Sequence, residues 1–443
     1  MTTPTAPHQP VLRAPVLRVP GVAALVLMSL LSFAGYALLL PTAPLWATHG
    51  GADEAGAGLV NAVLMLATVA FQTTVPWALR RLGWRTTLVA GVLLLGLPSL
   101  ALVLTDQLGW ILAASAVRGA GFAVVTVCGA TAIAELVDPS RRGRAIGVYG
   151  LAVAAPQVLL TPSAAWFAEA VDFRVVFVAG VLPALAVPFA AALGRRLDRL
   201  TAGHPDDAAQ RGVGGVGGVG GSRGADGAGG AGGAGGADGA GGAGGADGAR
   251  GAGGAGGRAR ILAALVLPSL VLLAVTTPGG ALLTFAPQLG HGALVAMAGL
   301  LGLTVAAALS RWLVGGLADR YGPGRFVPPL LLLCAAALVL CGWSLAGSGP
   351  GAAGLVVGMT LVGVSYGSLQ NLTLVTAFAA VPDRARSVAS AVWNIGFDTG
   401  TGLGSLAVGF IAAGTSFGVG LLTTAGLCLA IAVVTVVAGA RRR

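Results

Sequence analysis

Apolar residues along this chain fall into twelve runs of about twenty residues, each long enough to cross the ~30 Å hydrocarbon core of a bilayer as a helix. The first is Gly21 to Leu40, and five more follow at Ala57–Leu79, Thr86–Leu104, Trp110–Ala134, Ala145–Phe167 and Val175–Leu193. A second set of six lies at Ile261–Leu283, Ala293–Val314, Phe326–Leu345, Gly351–Ala377, Val388–Ala412 and Gly418–Ala440. Pro41-Thr42-Ala43-Pro44 is expected to end the first helix, because proline lacks the backbone donor a continuing helix needs. That first run is too long for a signal-peptide core and has no A-x-A cleavage site, so it reads as an uncleaved helix.

The two sets are separated by a stretch with no period at all. Gly212 to Gly257 is almost entirely Gly and Ala, broken by Asp226, Asp238, Asp247 and a few Arg. Such a composition buries too little apolar surface to offset the entropy of ordering, which predicts a disordered linker. Gly does not recur at every third position, so a collagen-like helix is excluded. The chain therefore divides into a polar tail at 1–20, a six-helix bundle at 21–200, a linker at 201–260 and a second six-helix bundle at 261–440.

Charge then orients the array. Only 9% of residues are charged and 56% are hydrophobic, against about a quarter charged in a soluble domain. The expected fold class is an all-α membrane protein with twelve transmembrane helices in two pseudo-symmetric six-helix bundles. The net charge of +10 comes from Arg alone, since the sequence has no Lys. All but Arg118, Arg174 and Arg311 fall in alternate loops, the linker and the tails, while Asp53, Glu54, Asp106, Glu169 and Asp172 lie in the opposite loops. The positive-inside rule then puts both termini and the linker in the cytoplasm of a multi-pass cell-membrane protein. Because the arginines are spread between spans and not gathered on one face, no nucleic-acid partner is expected. Cys128, Cys334, Cys341 and Cys428 sit inside apolar runs without ligand spacing and read as small buried hydrophobes, so no metal and no cofactor is expected.

The halves repeat. Leu79-Arg80-Arg81-Leu82-Gly83 and Ala318-Asp319-Arg320-Tyr321-Gly322 occupy corresponding places, as do Pro139-Ser140-Arg141 and Pro382-Asp383-Arg384. Two same-topology halves joined through the cytoplasm imply alternating access around a midplane site.

The segment Gly315-Gly316-Leu317-Ala318-Asp319-Arg320-Tyr321-Gly322, with Arg325 beyond it, resembles the loop signature of the major facilitator superfamily. The first-half copy departs from it: Pro76 stands for the Gly and Arg80 for the Asp, while Arg81, Gly83 and Arg85 fit. Arg118-Gly119-Ala120-Gly121 resembles the family's intramembrane Arg motif, and Pro41 to Pro44 resembles the end of helix one in twelve-helix drug antiporters. The fifth-helix antiporter motif is poorly kept, with Ala155-Pro156 and Leu159-Leu160 in place of most of its Gly. The resemblance, closest to bacterial drug and sugar efflux members, implies a monomeric carrier for a small-molecule substrate and protons. It also implies a cytoplasmic gate at Gly315, Asp319, Arg320, Gly322 and Arg325 with Arg81, Gly83 and Arg85, where Asp319 faces the start of helix five near Arg144.

Several residues carry chemistry at membrane depth. Arg118 lies about 14 Å inside its predicted helix at 1.5 Å per residue, where a cation costs at least ~2.5–3.5 kcal/mol without water or a partner. Asp398 lies about 15 Å in from the opposite face. A carboxylate there is either held neutral or paired with a cation, and switching between those states is what proton coupling requires. Asp398 and Arg118 are thus the coupling candidates; the plainer alternative for Asp398 is a fixed pair or a hydrogen bond to a neighbouring helix. Gln370, Asn371, Asn394, Tyr36 and Gln157 are substrate-cavity candidates, Gln370 first among them. Asn61 and Gln72 are also polar at depth, and for any one of these an interhelical hydrogen bond explains the residue equally well. Arg311 is close enough to the cytoplasmic end for its head to snorkel out. Gly396, Gly400 and Gly404 form a small-residue stripe for helix packing.

Gly363-Val364-Ser365-Tyr366-Gly367 matches the G-x-S-x-G nucleophile pattern, but it sits inside an apolar helix without His or acid partners. An enzyme reading lacks a clustered nucleophile and base. A sensor reading would need the linker to be a folded module, and ATP drive would need a G-x-x-x-x-G-K-[ST] loop that the chain does not contain. The expected function is proton-coupled efflux of a small organic molecule by a secondary active transporter, with proton-coupled uptake of a small solute as the alternative.

Overall fold

The computed structural model describes residues 16–137, 142–202, 255–382 and 385–440. Among these are twelve helices long and apolar enough to span a membrane. In chain order they are α1 (Val22–His49), α2 (Glu54–Gln72), α3 (Val75–Leu104), α4 (Leu108–Ile133), α5 (Ala145–Ala170) and α6 (Phe173–Ala202). The second half holds α7 (Ala259–Gln288), α8 (Ala293–Ala318), α9 (Pro323–Ser344), α10 (Gly351–Ala379), α11 (Val388–Gly414) and α12 (Phe417–Ala440). In the orientation the arginines imply, α1 runs outward and the connection at Gly50–Asp53 lies outside.

The repeat read from sequence is a repeat of packing. In the first half α1 packs on α5, α2 on α4 and α3 on α6; in the second, α7 packs on α11, α8 on α10 and α9 on α12. The halves meet through α2 with α11 and α5 with α8, a pair of interfaces that exchange under the same six-helix offset. Glycines set how close these helices come. A Cβ on Gly363 or Gly367 of α10 would run into the α8 backbone at Leu303 and Ala307, so the G-x-S-x-G pattern is a packing surface. Gly400 and Gly404 do the same against α7, while Gly402 and Gly409 on another face of α11 meet α2.

Three boundaries differ from expectation. Helix α1 does not stop at Pro41 but continues through Pro44 to His49. Each proline removes one donor, and the loss is tolerable in a buried helix when another group takes the freed carbonyl. For Pro44 the freed acceptor is Leu40 O, and the Asn61 side-chain amide donates to it at 2.8 Å. Pro278 frees Ala274 O in α7, and the Cys428 thiol lies on that oxygen at 3.2 Å. Second, α2 ends at Gln72, not Leu79, and the segment bearing Arg80 and Arg81 is already helical, broken only at Gly83, where φ is 78°. A left-handed backbone there suits glycine. Asp198, at the end of α6, accepts from the Trp84 and Arg85 N–H groups just beyond the kink, at 2.8 and 3.2 Å. Third, residues 255–260 are helical and belong to the start of the second bundle. The rest of the Gly/Ala-rich linker, the 1–15 tail and the Pro139-Ser140-Arg141 segment lie outside the described residues.

Candidate functional site

At mid-membrane, polar side chains from both halves converge between α1, α2, α4, α8, α10 and α11. Asp398 on α11 is 6% exposed and accepts a hydrogen bond from Gln72 Nε2 of α2 at 2.6 Å. That bond crosses from one half to the other. Tyr36 of α1 lies within electrostatic reach of Asp398, Tyr366 and Arg118. Tyr366 of α10 lies within reach of Arg311 and Asp398, with the Gln370 and Thr401 side chains beside it. These neighbours link Arg118, Tyr36, Asp398, Tyr366 and Arg311 into one connected row that holds a single carboxylate, two tyrosines and two guanidiniums. Aromatic rings wall this row, with Tyr36 stacked on Phe122 at 4.3 Å and Trp393 on Phe397 at 5.6 Å between centroids.

The two arginines are held in different ways. Arg118 is 2% exposed, and among the described residues its one hydrogen bond runs from Nε to Leu95 O at 3.4 Å. Its titratable neighbour is the neutral Tyr36, and no bond between Arg118 and Asp398 is made. Arg311 is partly exposed. Its Nε is buried without a partner, and the side chain faces Tyr366 inside the bundle.

The remaining candidates divide. Gln370 is 2% exposed, and neither its Nε2 nor its Oε1 makes a well-formed hydrogen bond, although the Tyr366 hydroxyl lies beside the amide. Asn371 is committed to structure, since its Nδ2 donates to Arg311 O at 2.8 Å and ties α10 to α8. Asn394 and Gln157 donate to carbonyls one turn back on their own helices, Ser390 O and Val153 O. Neither joins the cluster. At the expected gate, Gly322 has φ 82°, matching Gly83, and Arg81, Arg85, Arg320 and Arg325 are exposed. The side chains of Asp319 and Arg144 lie outside the described residues.

A second set of polar contacts lies nearer the outer side, in which the sequence marked Asn61 but not Thr284 or Ser405. Asn61 Nδ2, besides serving Leu40 O, donates to Thr284 Oγ1 of α7 at 2.9 Å, and Thr284 shares a hydrogen bond of 2.7 Å with Ser405 of α11. This chain ties α1 and α2 to α7 and α11. Thr and Ser carried no signal, because in an apolar helix most of them bond their own backbone, as Thr68 and Thr373 do here. A cleft of about 440 Å³ also opens on the outer face of the second half between Gln288, Gly342, Ser416 and Leu422, remote from the charged row.

The model of the Major Facilitator Superfamily matches residues 25–378. Among curated proteins, none matches the sequence. Solved structures do resemble this one. The peptide transporter POT bound to alafosfalin is 14% identical, with a TM-score of 0.69 over 95% of this chain and 94% of that one. A bacterial homologue of the human lysosomal transporter Spinster, inward-facing and unoccupied, is 15% identical with a TM-score of 0.64, covering 94% of each chain. The nucleoside transporter NupG is 12% identical with a TM-score of 0.62, over 94% of this chain and 99% of that one. At such identities the likeness concerns the fold.

Proposed function

Because the chain belongs to the Major Facilitator Superfamily, and is thus a multi-pass transporter and not an enzyme, we propose that it couples solute movement to protons through Asp398. The observation that carries this reading is the Gln72–Asp398 hydrogen bond at 2.6 Å, made by a buried carboxylate across the interface between the halves. An ionised carboxylate draws the Gln72 donor more strongly than a neutral one, yet costs more to bury. Taking up a proton therefore changes both the price of burial and the grip between α2 and α11. Those are the helices that must part and rejoin if the halves rock about a midplane site. The related structures are named for nucleoside and peptide transport, which supports a small organic molecule as solute.

Export was the direction expected from the helix-one resemblance, and it requires solute and proton to take turns at the site. The uptake alternative requires them to bind together. One observation favours uptake: the row contains two guanidiniums and a single carboxylate, so protonating Asp398 makes the site more cationic and more receptive to a negative solute group. The test is solute movement in right-side-out and inside-out vesicles with an imposed pH gradient. Accumulation on the side the protons enter supports co-transport, accumulation on the side they leave restores export, and insensitivity to the gradient removes proton coupling.

A further inference from the structure

Two cations inside the bundle, Arg118 buried and Arg311 partly so, have no carboxylate partner among the described residues, and that needs an explanation. Arg118 from the first half and Arg311 from the second face inward, and among the described residues each has a neutral tyrosine as its titratable neighbour. A guanidinium inside the membrane is costly unless water or an anion compensates it. Asp398 does not supply the compensation, because it is engaged by Gln72. The Arg311 Nε and both polar atoms of Gln370 make no well-formed hydrogen bond. Folding alone gains nothing from leaving these groups unpaired, since a buried donor without an acceptor loses the full value of its hydration. A ligand that brings oxygen acceptors and negative charge would satisfy all three.

We propose that the transported solute is a small organic anion, its carboxylate or phosphate oxygens held by Arg118 and Arg311 with the Gln370 amide donating beside them. This rests on the transporter reading above and narrows its substrate. The fork of a guanidinium matches two oxygens of either group. Contributions from both halves make the anion a contact between them, which is what a carrier needs if loading is to favour closing.

The experiment uses the purified full-length protein and sets of compounds that share a skeleton but differ in charge. One such set is benzoate, phenyl phosphate, benzamide and benzylamine, and a parallel set is built on short alkyl chains. Thermal stabilisation is measured for the parent, for Arg118→Gln and Arg311→Gln, and for Arg118→Lys and Arg311→Lys, which keep the charge and report on folding. The expected result is stabilisation by the carboxylates or the phosphate esters, whichever is the true class, and by neither amides nor amines. The Gln variants should lose at least tenfold in apparent affinity and the Lys variants should lose less. Stabilisation by amines or amides alone overturns the proposal, as does an anion effect unchanged in both Gln variants or no effect from any anion. Counterflow with each stabilising compound separates the two claims. Exchange of an amine driven by protons would sink the anion while leaving the transporter reading intact, whereas bound compounds that never exchange would count against the transporter reading itself.

Discussion

Pro44 withdraws the donor that Leu40 O would otherwise receive, and Asn61 replaces it from the next helix while also holding Thr284 in the other half. One side chain thus repairs a helix and joins two domains. Hydrogen bonds of this kind inside membranes average about 0.6 kcal/mol and reach about 1.7. Pro44→Ala returns a backbone donor to Leu40 O, so Asn61→Ala should cost less stability in that background than in the parent. A double-mutant cycle read by thermal unfolding checks it; additive losses would show that Asn61 acts only through Thr284. At this scale the sequence yielded depth but not partners. Counting along α4 and α11 put Arg118 and Asp398 at one level, yet whether they touch depends on how each helix is rotated, and in the structure Tyr36 is a neighbour of both. The same holds for Arg311: proximity to a helix end did not reveal that Tyr366 is its neighbour.

At the scale of the element, α11 is the helix on which both interfaces converge. Gly400 and Gly404 bring it against α7, and Gly402 and Gly409 bring it against α2. A Cβ on Gly58 of α2 would collide with the Ser405 carbonyl, which belongs to backbone and cannot step aside. Gly58→Val should therefore push the outer ends of α2 and α11 apart, at an overpacking cost of about 1–3 kcal/mol. Spin labels at Ala52 and Thr415, on the outer connections, should report a longer distance in that variant. Gly426→Val, where a side chain has open space, should leave the distance unchanged. An unchanged distance in Gly58→Val would mean that this contact does not hold the outer side closed. The regular Gly396–Gly400–Gly404 spacing made one face of α11 legible; the second was missed because Gly402 and Gly409 are seven residues apart and form no short period. The extension of α1 past Pro41 escaped notice because what permits it is a side chain on another helix.

At the scale of the molecule, twelve spans and their division into two sixes were legible because a bilayer imposes one length on every apolar run. The packing partners repeat with the same offset, so each half is built as a unit of its own. On that basis we expect residues 203–254, which carry no apolar face, to be replaceable by about 20 Gly/Ser residues, a flexible linker whose ends average about 25 Å apart. Membrane insertion and transport should stay near the parent level, and loss of transport in a correctly inserted protein would reveal a role for that segment. The most direct measurement of the central claim concerns Asp398. In proteoliposomes with an imposed pH gradient, Asp398→Asn should abolish gradient-driven accumulation of the solute, while counterflow exchange without a gradient persists, since Asn can still bond Gln72 but cannot carry the proton. Full gradient-driven accumulation by a well-folded Asp398→Asn protein would contradict the account.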